Sequence, residues 1–348
     1  MDDLTISYSD LNIFISELLK EYDVIAPIVK EDRYIFGQID VPSKAIFKYD
    51  TTILPPVKWL YPNDEVLLRY ELQDITKTEA VIDFRKQVLI FLHPCDINAI
   101  NIMDEILAEE PVDINYLARR RSTVIIGYEC LGPCRENSLC FDKGYHRVDK
   151  GYDLLFTDMS DRFYVHIASD IGMAIVEDCK VFKKAAYSDM EDLSRIKRDG
   201  LVKFKNAVHG DIESLSHLLK ENYYNEVWEK EGKKCLSCGA CNIVCPTCYC
   251  YDVLDEVDAD MKTGYRFRRW DACQLHGFCK IASGENFRTT AADRVRHRVF
   301  KKEVYLKKRF GRSGCVGCGR CIDSCIADIS IIDIYNNIMK KRPLANLG

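Results

Sequence analysis

The chain has 348 residues and a mass of 40.2 kDa, enough for two domains, and 47% apolar with 30% charged residues excludes a disordered, collagen-like or repeat-only polypeptide. A formal charge of −5 gives the whole chain no electrostatic case as a nucleic-acid binder. Seventeen cysteines, an odd number, exclude a fully paired monomeric disulfide framework and point to metal or redox chemistry in a reducing cytoplasm.

The opening MDDLTISYSDLN is acidic and polar, where a secretory signal needs a basic head and an apolar run. No stretch reaches the roughly 18 uncharged apolar residues of a membrane span. Residues 11–20 place Leu11, Phe14, Ile15, Leu18 and Leu19 on one helical face, with Asp10 as N-cap. Ala45–Tyr49 and Glu65–Tyr70 read as short strands between the turn signals Pro55–Pro56 and Pro62–Asn63–Asp64. VLIFL (88–92) suits a buried strand, DINAINIMDEIL (96–107) a helix capped by Asp96, and STVIIGYEC (122–130) a second buried strand. A hairpin is predicted over 153–168 and a helix over 169–179; helices dominate 188–230, one of them capped by Asp211. The domain expectation is an α/β domain over 1–230, then a mostly helical, ferredoxin-like dicluster domain over 231–348 with an insertion at 249–314. The fold class is therefore mixed α+β.

Two cysteine runs carry the chemistry. CLSCGACNIVC holds Cys235, Cys238, Cys241 and Cys245; CVGCGRCIDSC holds Cys315, Cys318, Cys321 and Cys325. Both have the spacing C-x2-C-x2-C-x3-C that holds [4Fe–4S] clusters in bacterial-type ferredoxins, where the fourth cysteine serves the other cluster. Three thiolates on one tight loop each reach a different iron, and the fourth is expected to start a helix that points away. The predicted ligand sets are Cys235, Cys238, Cys241 with Cys325, and Cys315, Cys318, Cys321 with Cys245. Structural zinc normally takes two C-x2-C pairs across a longer loop, which these runs do not resemble. Cys325 is followed by Ile326 where the usual residue is proline.

The interval 262–312 has 15 Lys or Arg against four acidic residues, a local charge of +11 that leaves −16 for the rest. Such a basic insertion stabilises reduced clusters and can dock an acidic partner. On its own, RVRHRVFKKEVYLKKRFGR (294–312) reads as a solvated or partner-facing helix, with nucleic-acid binding as the weaker reading.

Cys95 and Cys130 each end a predicted buried strand, and adjacent parallel strands bring such ends together at one sheet edge, where α/β folds place ligands. With Cys134 and Cys140 folded over them, four thiolates suffice for a third [4Fe–4S] cluster; the alternative is a set of unrelated reduced thiols. Cys248, Cys250 and Cys273 are either small buried hydrophobes or groups that tune or ligate a cluster. Buried hydrophobe is the favoured reading for Cys179 and Cys279.

At these residues the chain resembles the beta subunits of cytosolic sulfhydrogenase-type NiFe hydrogenases, with the A subunit of anaerobic sulfite reductase as a relative. The resemblance runs over nearly the whole chain, through TTILPPVKW (51–59), HPCDINAI (93–100), CLSCGACNIVCPTCYCYDV (235–253), GYRFRRWDAC (264–273), ASGENFR (282–288) and CVGCGRC (315–321). It implies an iron–sulfur electron-transfer subunit between a flavin subunit that handles NAD(P)H, and carries FAD, and a hydrogenase or sulfite reductase catalytic subunit. It also implies a role at the clusters for Cys248, Cys250 and Cys273. The family pattern near Cys140 resembles Cys-Phe-Cys, whereas this chain reads Cys140–Phe141–Asp142, so Asp142 or Cys134 stands as the alternative ligand.

The leading expectation is an electron wire without a substrate site: there is no G-x-G-x-x-G after a strand, no P-loop and no G-x-S-x-G elbow. The alternatives are a flavin-linked module feeding heterodisulfide reductase, a cluster-assisted thiol or disulfide reductase using Cys248, Cys250 or Cys273, and a nucleic-acid-binding iron–sulfur module.

Overall fold

The computed structural model describes residues 3–340. It divides into two compact units, one of Met1–Tyr61, Ile82–Glu136 and Gly144–Lys205, the other of Pro62–Val81, Asn137–Lys143 and Asn206–Gly348. Among the described residues no helix is long and apolar enough to cross a membrane.

Strands β1 (Leu4–Ser7), β2 (Asp23–Lys30) and β3 (Arg33–Gln38) belong to the first unit, and β4 (Asp64–Glu71) and β5 (Asp74–Ala80) to the second. The chain then returns to the first unit for β6 (Gln87–Leu92), β7 (Thr123–Tyr128), β8 (Leu154–Asp158), β9 (Arg162–Ile167) and β10 (Lys183–Lys184). Their sheet has the order β10-β1-β9-β8-β7-β6-β2-β3. Its centre is parallel, through the pairs β2–β6, β6–β7 and β7–β8, and the predicted hairpin is the antiparallel pair β8–β9. Every residue of β6 is buried, which is why its sequence is a continuous apolar run and not an alternating one.

Helix α1 (Tyr8–Glu21) buries Leu11, Phe14, Ile15 and Leu18 against Val24, Ile90, Ile126 and Phe156. Its cap is Ser7, whose hydroxyl accepts from the Asp10 N–H, so Asp10 sits in the first turn. Likewise α2 (Pro94–Leu107) starts at its proline with His93 as N-cap, three residues before Asp96; proline at the first position needs no N–H partner. The unit also holds α3 (Ile114–Arg121), α4 (Asp170–Asp178) and α5 (Tyr187–Leu201). Cys179 lies in its apolar core, as expected.

The strand expected at Ala45–Tyr49 is not formed. The segment makes an isolated bond from the Ile46 N–H to the Pro27 carbonyl (2.8 Å), and its aromatic rings plug the sheet instead. Phe47 packs edge-on against Phe91 and Phe163, and the Tyr49 hydroxyl donates to the Phe91 carbonyl at 2.7 Å.

In the second unit β11 (Tyr251–Val257) and β12 (Thr263–Trp270) extend β4 and β5 into an antiparallel sheet of order β11-β12-β4-β5. The cluster-motif half is thus less helical than expected, because part of the 249–314 insertion is this hairpin. Helices α6 (Leu215–Glu221), α7 (Val227–Lys234), α8 (Ala240–Ile243), α9 (Ala291–Phe300), α10 (Leu306–Phe310), α11 (Arg320–Asp323) and α12 (Ile331–Lys340) complete the unit. A π turn at Lys301–Tyr305 joins α9 to α10.

The structural division falls after Lys205, not at 230/231. The cause is apolar: Leu215 and Leu219 of α6 and Trp228 of α7 share one core with Val299, Ile334 and Ile338. Helix α7 lies so close to α9 that a Cβ on Gly232 would come within 2.6 Å of the Ala292 backbone nitrogen.

Candidate metal centres

The two cysteine runs fold alike, residue for residue. Gly239 (φ 79°) and Gly319 (φ 77°) cap the short helices α8 and α11 in left-handed conformation, and Ser237 (φ 55°) and Gly317 (φ 71°) take positive φ two residues earlier. Those two reversals curl the loop so that three successive cysteines turn inward. The fourth cysteine does not start a helix: Cys245 and Cys325 each follow the short helix and lead into a turn at 246–247 and 326–327. Ile326 does the job of Pro246 here, because a turn and not a helix start is required.

Cys235, Cys238, Cys241 and Cys325 line one cavity. Cys245, Cys315, Cys318 and Cys321 line a second. The fourth cysteine of each run thus stands with the first three of the other. Among the described residues no three His, Cys, Asp or Glu converge on one metal-ion position; a cubane does not ask them to, since each thiolate takes a different iron.

Cations wall these cavities. Arg298 and Cys321 line both, and Lys302 the second. The Arg298 Nη2 donates to the Cys241 carbonyl at 3.1 Å, while its Nε is buried with no hydrogen-bond partner among the described residues. A buried guanidinium N–H left without an acceptor is costly, and the sulfides of a cluster would supply one. The donor set and this orphaned nitrogen fit [4Fe–4S] clusters. Burial pushes the Cys241 thiol up to about 12, and burial with the nearby Glu303 does the same to Cys315. Burial also opposes ionisation of Cys245, but Lys302 and Arg298 bring its pKa below the ordinary thiol value.

The basic run 294–312 is only in part the solvated or partner-facing helix expected from its charge: Lys308 and Arg309 are exposed, but other cations turn inward. Arg294 and Lys302 are about 5% exposed or less. The Arg294 Nη2 donates to the Ser237 hydroxyl at 2.8 Å, and the Lys302 ammonium donates to the carbonyl and hydroxyl of Thr247 at 2.7 and 2.6 Å. Sequence reasoning placed the charge beside the clusters but did not single out these residues. The signal lies in the spacing of Arg294, Arg298 and Lys302, four residues apart on one helical face.

Cys248, Cys250 and Cys273 form a buried group with Cys245. The Asn242 side-chain amide donates to Cys273 at 3.1 Å and to Cys248 at 3.6 Å, and the Lys301 ammonium donates to Cys250 at 3.6 Å. Hydrogen bonding to Cys250 is the chief influence on both neighbours, taking Cys248 up to about 12 and Cys273 down to about 7. All three thiols are under 8% exposed, and a thiol or disulfide reductase needs an accessible sulfur.

In the first unit the parallel pair β6–β7 brings its C-terminal ends side by side, and Cys95 and Cys130 follow those two strands, as the sequence suggested. Cys134 belongs to the same unit, but Cys140 belongs to the second, so neither unit by itself contains all four. Asp142 is also in the second unit, where its carboxylate accepts from the Ala207 and Val208 N–H groups at 3.0 Å each.

The 4Fe-4S dicluster domain family matches residues 234–329, the span that holds both cavities' cysteines. Over its length the chain is similar to the sulfhydrogenase 2 subunit beta of Pyrococcus furiosus, with 30% identity over 326 residues, 93% of this chain and 95% of that protein. No solved structure matches the chain. Two like-folded cysteine runs, a dicluster domain and a relative matched from end to end together make this chain a member of the sulfhydrogenase beta-subunit family, an iron–sulfur electron-transfer protein.

Proposed function

We propose that the chain is an electron relay within a multi-subunit anaerobic redox complex, carrying electrons between a flavin subunit that handles NAD(P)H and a catalytic subunit of sulfhydrogenase or sulfite reductase type. The observation that carries it is the exchange of fourth cysteines between two adjoining cavities. In this reading Cys235, Cys238, Cys241 and Cys325 hold one [4Fe–4S] cluster, and Cys315, Cys318, Cys321 and Cys245 hold the other. Bound there, the clusters would supply one-electron redox steps. The protein's own part is to hold them close together, exclude water through the apolar wall of Val295, Val299, Ile331 and Ile334, and set the charge around them.

Cys248, Cys250 and Cys273 act in this reading beside the clusters, where thiols and their amide and ammonium donors alter the local field. Cys95, Cys130, Cys134 and Cys140 are the candidate ligands of a third cluster, and FAD belongs on the partner. The compartment proposed is the cytoplasm.

The test is iron and acid-labile sulfide per chain on anaerobically purified protein, with EPR of the reduced state. About eight irons support the two-cluster relay, and about twelve add the third cluster. A zinc-loaded, iron-free chain that still supported turnover of its complex would overturn the relay.

A further inference from the structure

Of all the charged groups near the cavities, Arg298 is placed unlike the rest. It lines both cavities, whereas Lys302 lines only the second. Helix α9 brings it there: Val295, one turn earlier, and Val299, the next residue, contribute to the apolar wall of the first cavity. The π turn that follows α9 shifts the helical register by a fraction of a turn. Lys302 still reaches the second cavity, and its ammonium is tied to Thr247. One Arg298 nitrogen holds the Cys241 carbonyl, in the loop of the first ligand set; a second nitrogen, Nε, is buried without a partner among the described residues. Cys321, whose sulfur belongs to the second ligand set, also walls both cavities.

From this placement we infer that Arg298 is a potential-setting residue shared by the two clusters, a single cation that raises both reduction potentials together. The inference rests on the two-cluster reading. Reduction adds one negative charge to a cluster, and a fixed cation in a water-poor site stabilises that charge far more than one in solvent would. Hydrogen bonds to cluster sulfur act in the same direction. Because one guanidinium faces both sites, its loss cannot be confined to one of them. A cation lining a single cavity, such as Lys302, acts chiefly on the potential of that site, because its field weakens with distance. For a relay the consequence is that the shared cation moves both potentials together and leaves the gap between them nearly unchanged.

The experiment is an EPR-monitored redox titration of the full-length chain, purified anaerobically, in the native form and as Arg298→Gln, Arg298→Lys and Lys302→Gln. Iron and sulfide are measured first. If the native chain holds fewer than about eight irons, the two-cluster reading fails before any variant is compared. With clusters loaded, Arg298→Gln is expected to move both midpoint potentials to more negative values. Arg298→Lys is expected to recover most of that shift, and Lys302→Gln to move the potential of the second site more than that of the first. Unchanged potentials in Arg298→Gln, or a shift in one alone, overturn the shared role. If the Gln variant loads no clusters while the Lys variant loads both, the charge requirement at both sites stands. Loss of one cluster only in the Gln variant refutes it.

Discussion

Lys143 and Glu303 pair at 2.6 Å with both side chains under 5% exposed, and Glu303 also accepts from the Tyr335 hydroxyl at 2.6 Å and the Ser313 hydroxyl at 2.9 Å. Glu303→Gln removes the anion and leaves Lys143 a buried, unpaired cation, a loss of about 3–5 kcal/mol. The checking measurement is denaturant unfolding under anaerobic conditions, where the midpoint should fall without a change in slope. His297 is the residue for pH. Burial, with Arg288 and Lys301 nearby, pulls its pKa down to about 4, below an unfolded value of about 6.5. Between those values the unfolded chain binds the extra proton, so this contribution to stability is present above pH 6.5 and is lost as the pH falls toward 4. His297→Gln should flatten that part of the urea-midpoint profile; an unaltered slope would remove His297 as its source. Neither residue was legible in the sequence, because a glutamate or a histidine in a basic run shows its partner only once the chain is folded.

Among the elements, the two cysteine loops differ in one way that matters. The equivalent positions Ser237 and Gly317 both have positive φ, yet serine is accommodated at one. At the other, an added Cβ would lie 2.5 Å from the Cys140 nitrogen, because the Gly317 carbonyl accepts from the Leu139 N–H at 2.8 Å and draws that strand of backbone in. Gly317→Ala should therefore cost the second cluster, dropping iron from about eight to about four per chain, while Ser237→Ala keeps both. Iron analysis of the two variants side by side decides it. Long apolar elements such as β6, α1 and the β8–β9 hairpin were readable because their burial pattern repeats along the chain. The strand read at Ala45–Tyr49 was not one, because alternating apolar residues serve equally well as an aromatic plug. Helix caps shifted by three residues at Ser7 and His93 for a similar reason: several residues near a helix start can cap it, and packing chooses.

Across the whole molecule, thiolates turned toward a common cavity repel one another until metal binds, so loading and folding of the second unit are coupled. Stripping iron with a chelator under an oxidant should abolish hydrogen-exchange protection over 235–245, 315–325 and α9. The central strands β6, β7 and β8 of the first unit, which lie in a largely apolar core, should keep theirs. Equal loss in both units would show that the first depends on the clusters as well.

The cysteine spacing by itself pointed to iron–sulfur chemistry and to each fourth cysteine standing beside the first three of the other run, as the lining of the two cavities has it, because a cubane admits few loop geometries. Periodicity determined most of the elements of the first unit. Only the tertiary structure decided where the basic insertion turns its charge. Composition reads 294–312 as a surface helix, whereas the fold directs Arg294, Arg298 and Lys302 inward, where buried anionic centres make their desolvation tolerable. It also decided the domain boundary, since α6 and α7 join the cluster-bearing unit through an apolar core assembled from segments that lie more than 100 residues apart in the chain. Contacts at that separation leave no periodic trace in a sequence.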